Sequence, residues 1–313
     1  MHPAPVSRKA ARLQSNSGPI VALVIANVTL AFGPWFVRLT DVGPVAAGFW
    51  RITLAAPILL GAAMALGQRP LVLARGLWGM IAVGGVAFAA DLASWHVGIH
   101  RTNLANATLF GNAAIFIFPL YGFLVARTWP TRMQGVALLL AAVGGGLLMG
   151  RSAELSSAHL VGDLLCLLAG LLYAVYFIVM ARVREAVPPL PALALSTIAS
   201  IVPLLVGALA LGERVLPNDW TPLLGLALVS QVIGQGCMIF ALGRLTPLVV
   251  GLALLIQPVV AGTVGWIVYG ERLGLPDLAG AICVGIALVL VRERRASTEP
   301  LAEGGGDPQK VTA

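Results

Sequence analysis

Charge is what this sequence has least of. Charged residues fill 11% of its 313 positions, against about 25% in an ordinary soluble domain. A soluble surface cannot be covered with so few. Hydrophobic residues make up 58%, so the surplus apolar surface must face lipid or other helices. Cysteine is scarce too. Cys166, Cys237 and Cys283 each sit inside an apolar run, and no two form a C-x-x-C pair. They read as small buried hydrophobes, and no disulfide framework is supported. Chemistry-bearing motifs are missing as well. Without G-x-x-x-x-G-K-[ST] there is no ATP loop of the Walker type. H-E-x-x-H and G-x-S-x-G are absent, so the familiar zinc-protease and serine-hydrolase motifs are not found. No span carries a carboxylate pair, which weakens an intramembrane aspartyl protease. No arginine ladder suggests voltage sensing.

What is present is a succession of apolar runs about 20 residues long, the length of a bilayer-crossing helix. Ten can be marked, at 19–38, 45–66, 77–98, 103–126, 133–150, 161–181, 191–211, 221–242, 247–269 and 276–291. The expected fold class is therefore all-α, a polytopic membrane protein. The connectors are short and leave no room for a soluble domain. Residues 1–18 read as a polar, basic tail before an uncleaved first span. Residues 292–313 read as a disordered tail.

The basic residues set a direction. Lys9 and Lys310 are the only lysines, and the remaining basic residues are Arg, a bias common in G+C-rich bacterial genomes. With the N-terminus inside, fourteen of the 20 basic residues fall in inner segments and five in outer ones (Arg38, Arg101, Arg151, Arg214 and Arg272). By the positive-inside rule both termini are cytoplasmic and the number of spans is even. The net charge of +7 thus marks topology, and nucleic acid is not an expected partner.

A weak internal repeat is visible. The Arg-bearing corner Gly98-Ile-His-Arg-Thr-Asn leads into the fourth span, and Ala241-Leu-Gly-Arg-Leu-Thr-Pro leads into the ninth. Each is followed by a Pro-containing span and then a glycine-rich one. Five spans per half is an odd number, so the halves (19–150 and 161–291) would be inverted, as in many secondary transporters.

These residues carry a resemblance. Ala241-Leu-Gly-Arg-Leu-Thr-Pro, Leu254-Leu-Ile-Gln-Pro258, Tyr269-Gly-Glu-Arg-Leu273 and Phe49-Trp-Arg51 are similar to the pattern of the drug/metabolite transporter superfamily, EamA type. The first half departs from it. Its proline is Pro119 rather than residue 115, and Arg127-Thr-Trp-Pro-Thr-Arg132 stands where a Gly-Glu-Arg run belongs. The resemblance implies a ten-helix transporter of small metabolites, with substrates that differ widely between members.

Charge inside the membrane points to the site. Only Arg51 and Asp91 fall well inside spans, where a charge costs about 2.5–3.5 kcal/mol on insertion scales. Both lie about 10–12 Å below the outer edge at 1.5 Å per residue. An Arg51–Asp91 ion pair or a shared polar site is expected. Trp95, at i+4 from Asp91, shares its helix face and could cradle a cationic or aromatic substrate. His96 and His100 have metal-compatible spacing but no third ligand nearby in sequence. Asn103, Asn106 and Asn112 stud the fourth span, Gln231 and Gln235 the eighth, and Gln257 precedes Pro258 in the ninth. That proline frees a carbonyl near Ala253 or Leu254. Tyr173 and Tyr176 sit in the sixth span. Asn27 and the Phe32-Gly-Pro-Trp35 kink mark the first.

Asp91, Trp95, Arg51, Asn112, Tyr173, Gln231, Gln235 and Gln257 are thus the candidate substrate-binding or translocation residues. The expected activity is secondary transport, with export favoured, of a small metabolite such as an amino acid, or of an amphipathic compound, across a bacterial inner membrane. No cofactor is expected. The partners would be a small-molecule substrate and membrane lipid. Asp91 could couple a proton, and the Gly144–Gly150 run could form a dimer face. A non-transporting scaffold or receptor, and an intramembrane metal enzyme, stay open as alternatives.

Overall fold

The structure is a computed structural model. It describes residues 8–101, 107, 110–149 and 157–269, with isolated positions between 275 and 290. Among these residues every regular element is a helix. In chain order they are α1 (Arg8–Ala31), α2 (Gly33–Leu39), α3 (Pro44–Ala65), α4 (Pro70–Leu73), α5 (Trp78–Ile99), α6 (Ala114–Ala126) and α7 (Arg132–Met149). Then follow α8 (Ser157–Val183), α9 (Pro189–Ala210), α10 (Thr221–Gly225), a π-helical segment (Leu226–Gln235), α11 (Gly236–Leu242), α12 (Pro247–Ala253) and α13 (Ile256–Tyr269).

Six stretches are long and apolar enough to cross a bilayer: Ser17–Leu39, Pro44–Ala65, Trp78–Ile99, Leu160–Val183, Pro189–Ala210 and Thr221–Leu242. The expected fifth span is a helix with a shorter apolar stretch, and the fourth and ninth are broken. The tenth span, the tail 292–313, Asn103, Asn106 and the Gly270–Leu273 part of the motif lie outside the described residues. The first helix begins at Arg8, so helix reaches into the expected N-terminal tail.

The local reasons are legible in proline and glycine. Proline opens α2, α3, α4, α9, α10 and α12 within the first two positions, where its missing N–H costs nothing. Helices α3 and α9 are a matched pair. Each starts at proline, holds a proline in its interior (Pro57, Pro203) and ends on Leu-Gly. Gly67 and Gly212 take φ of 72° and 65°, and the amides of Gln68 and Glu213 reach back to the carbonyls of Ala63 and Ala208. That is the same left-handed helix stop twice.

Three discontinuities cluster in depth. The Phe32 turn separates α1 from α2, as the Gly-Pro sequence predicts. Asn112 and Ala113 interrupt the fourth span. Leu254 and Leu255 interrupt the ninth, where i→i−3 bonds replace the regular ladder one turn before Pro258. The break at the carbonyls freed by Pro258 falls where the sequence places it.

Helix α3 packs on α9, α5 on α8 and α9, and the π segment on α1 and α3. Helix α6 packs on α8 and α12. The α6–α12 contact is made close by reciprocal pairs. A Cβ on Gly251 would lie 2.5 Å from the Pro119 ring, and one on Gly122 would lie 2.9 Å from the Pro247 ring. Small residues let the two backbones approach. A loop from the second half also caps the first. The Glu213 carboxylate accepts from the amides of Val45 (3.2 Å) and Ala46 (2.8 Å), at the start of α3. Trp50 Nε1 donates to the Val215 carbonyl at 2.7 Å.

Candidate functional site

The helix breaks surround a narrow cavity with about 60 Å³ of open space. A water needs about 10–15 Å³ of such space, so the cavity holds a handful of waters. Its wall brings together Arg51 from α3, Phe88, Asp91 and Trp95 from α5, Asn112 from the fourth-span break, Tyr173 from α8 and Gln257 from α13. Six of the eight expected residues therefore meet at one place. Gln231 and Gln235 are not in its lining. They lie fully buried behind it and hold the residues that are.

Arg51 is 3% exposed and Asp91 8%. They feel each other's charge, yet no direct ion pair forms between them among the described residues. This corrects the expected ion pair in favour of the shared site. Arg51 Nε instead donates to Gln231 Oε1 at 3.1 Å, and its guanidinium carbon stands 5.9 Å from the Phe88 ring centre. Gln231 Nε2 in turn donates to Thr197 Oγ1 at 3.2 Å. The arginine is thus held by an amide from the other half of the chain rather than by the carboxylate. The Asp91 carboxylate accepts no hydrogen bond from any described residue.

The remaining polar groups are organised in the same way. Tyr173 donates its hydroxyl to Gln235 Oε1 at 3.1 Å. Gln257 Nε2 donates to Asn27 Oδ1 at 3.0 Å, and Asn27 Nδ2 donates to the Leu23 carbonyl at 2.7 Å. Ser230 Oγ and Gln235 Nε2 are buried with no partner among the described residues. The π segment Leu226–Gln235 presents Gln231 to α3 and α9 and Gln235 to α8. Wide helical turns of this kind often mark functional sites. The sequence shows the two glutamines but not the change of pitch.

Aromatic rings form one side. Phe88 stacks on Tyr176 at 4.5 Å between centres, and Tyr173 lies 4.2 Å from Phe177. Trp95 fills the space beside two glycines. A Cβ on Gly111 would lie 2.9 Å from Trp95 Nε1, and one on Gly33 would lie 3.9 Å from Trp95 Cη2. His96 is buried behind this wall with Nδ1 2.9 Å from the Pro44 carbonyl. The carbonyl can only accept, so that nitrogen carries the proton. Among the described residues no three His, Cys, Asp or Glu side chains gather as a metal site. Sequence reasoning passed over Phe88, Gly111 and Thr197. It also passed over Asp163, a buried carboxylate near the start of α8.

Apolar membrane-crossing helices around a buried cavity that carries charged and polar side chains define a multi-pass membrane protein. Residues 160–292 match the EamA-like transporter family, consistent with the drug/metabolite transporter superfamily and with a membrane transporter of small molecules. A solved structure described only as "Crystal structure of protein" aligns over 93% of this chain and 100% of its own length, with a TM-score of 0.71 and 15% identity. At that identity the likeness is one of fold. No curated protein matches the chain.

Proposed function

We propose that the protein is a secondary transporter that exports an amino acid or a derivative of one by alternating access. The observation that carries the reading is the separation of Arg51 from Asp91 inside one buried cavity. Two opposite charges held apart cost more than a closed pair unless something bridges them. A zwitterion does so, with its ammonium at Asp91 and its carboxylate at Arg51. Asn112 and Gln257, in the same wall, then lie beside the backbone of the substrate, and Trp95, Phe88 and Tyr173 beside its side chain. Asp91 is also where a proton would exchange with the substrate amine. The narrowness of the cavity fits a state that must open before a substrate enters.

Ten spans in two inverted halves complete the proposal. The contact between α3 and α9, their shared proline and Leu-Gly pattern, and the Pro–Gly reciprocity of α6 and α12 support it. So does the equivalence of the α5–α8 contact with that of the π segment on α1. We place both termini in the cytoplasm of a bacterium, on the arginine distribution. A second reading, export of an amphipathic cation, is favoured by the Asp91 carboxylate and Trp95 sharing one cavity wall.

Uptake into liposomes of a panel of labelled amino acids and amphipathic amines tests both. Saturable uptake that Asp91→Asn abolishes in a folded protein is expected. Wild-type uptake by Asp91→Asn, or no uptake of any panel member, overturns the proposal.

A further inference from the structure

A second cavity of about 430 Å³ lies at one end of the bundle, well apart in sequence from the central lining. It opens where α6 ends at Ala126, α8 ends at Val183, α11 ends at Leu242 and α12 begins at Pro247. These ends place it at the level of the lipid headgroups. Arg182, Arg184 and Arg244 all line it, and Glu185 is the one acidic residue among its described lining.

Arginines at helix ends ordinarily serve as topology markers and reach into water. These three are in addition each bonded to the protein. Arg182 Nε donates to the Tyr121 hydroxyl at 3.0 Å. Arg184 Nε donates to the Ile239 carbonyl at 3.0 Å, and its Nη1 to the Val187 carbonyl. Arg244 Nη1 donates to the Phe240 carbonyl at 3.3 Å, and its guanidinium lies 3.9 Å from the Phe240 ring centre. The protein thus orients each guanidinium with neutral acceptors. Among the described residues none of the three has a carboxylate in ion-pair contact, Glu185 included. Burial and the nearby Arg244 charge push Arg184 down to about 10, a repulsion that an anion between them relieves.

We propose that this vestibule is a second binding site, separate from the central cavity, and that it holds a phosphate group. Planar guanidinium forks match phosphate oxygens, and three cations against one carboxylate favour a doubly charged ligand. The cavity is larger than a bare phosphate. Phe118, Tyr121, Val125 and Pro247 supply an apolar wall for the rest of the molecule. The phosphate can arrive on a soluble compound or as the headgroup of an anionic phospholipid.

The full chain in phosphatidylcholine nanodiscs separates these sources. One arm titrates inorganic phosphate against sodium chloride of equal ionic strength and reads the thermal midpoint. The other adds phosphatidylglycerol and reads retained lipid by native mass spectrometry. The variant for both arms is the double change Arg182→Gln and Arg244→Gln, at exposed positions, which leaves the Arg184 staple intact. Gly243→Ala is the charge-neutral control, since its Cβ would lie 2.7 Å from Arg184 Nη2 and displace that guanidinium. Retention or affinity about tenfold lower in the double variant is expected for the loss of charge-assisted bonds. A response to inorganic phosphate alone assigns a soluble ligand, and a response to phosphatidylglycerol alone assigns a headgroup. No phosphate-specific response in either arm, or a double variant that binds as wild type does, overturns the proposal.

Discussion

Replacing Gln231 with leucine tests how Arg51 is held in place. Leucine keeps the bulk at a site with no exposure but removes both hydrogen bonds of the amide. The bond from Arg51 at 3.1 Å is charge-assisted and is worth about 1.5–3 kcal/mol. The bond to Thr197 at 3.2 Å joins neutral groups on packed helices and is worth about 0.6 kcal/mol by membrane-protein precedent. Gln231→Leu should therefore destabilise the fold by about 2–3.5 kcal/mol. The measurement is reversible unfolding in bicelles, repeated in an Arg51→Met background. There the arginine bond is already absent, so the same change should cost less than about 1 kcal/mol. Strictly additive losses in the two backgrounds would refute the bridge. A functional consequence follows from the same geometry. Freed from Gln231, Arg51 can swing to Asp91 and close the pair, so substrate affinity should drop along with stability.

Other outcomes follow from single contacts. Gly251→Ala should cost about 1–3 kcal/mol by overpacking, since its Cβ would lie 2.5 Å from the Pro119 ring; thermal unfolding reads it. Glu213→Ala should cost about 1 kcal/mol through loss of a carboxylate cap on α3, with Glu213→Gln losing less. Partial burial and the Arg38 charge lower the His100 pKa from 6.5. The folded chain then binds fewer protons than the unfolded one, so this contribution to stability is complete above pH 6.5 and falls as the pH drops below it. A pH series of melting temperatures should be flatter for His100→Gln.

Depth and periodicity revealed much of the site. Arg51 and Asp91 lie at matching distances from their helix ends, and Trp95 follows Asp91 by one turn, so their convergence was readable from rise per residue alone. The break before Pro258 was readable from the missing amide. What was hidden depends on contacts between distant segments. No spacing rule shows that Gln257 meets Asn27 or that Gln231 intercepts Arg51, because these partners stand 230 and 180 residues apart. The π segment was hidden because nothing in its residues, the two glutamines included, announces a change of pitch. The break at Asn112 was hidden because no proline or glycine pair announces it beyond Gly111. The expectation of an ion pair followed from charge and depth without knowledge of a competing amide.

The α3 and α9 repeat was open to inspection in the sequence. Leu66-Gly67-Gln68-Arg69 and Leu211-Gly212-Glu213-Arg214 are near copies. They end apolar runs that look alike to a hydropathy reading, so only their common helix stop gave them meaning.

The most direct test of transport through the central cavity needs no known substrate. Asn112→Cys is placed in a chain whose three native cysteines are replaced, and oriented vesicles are treated with a membrane-impermeant thiol reagent from either side. Labelling from both faces, each reduced when the opposite face is locked, is expected of a site that opens alternately. Labelling from one face only, or none from either, would contradict alternating access at this cavity.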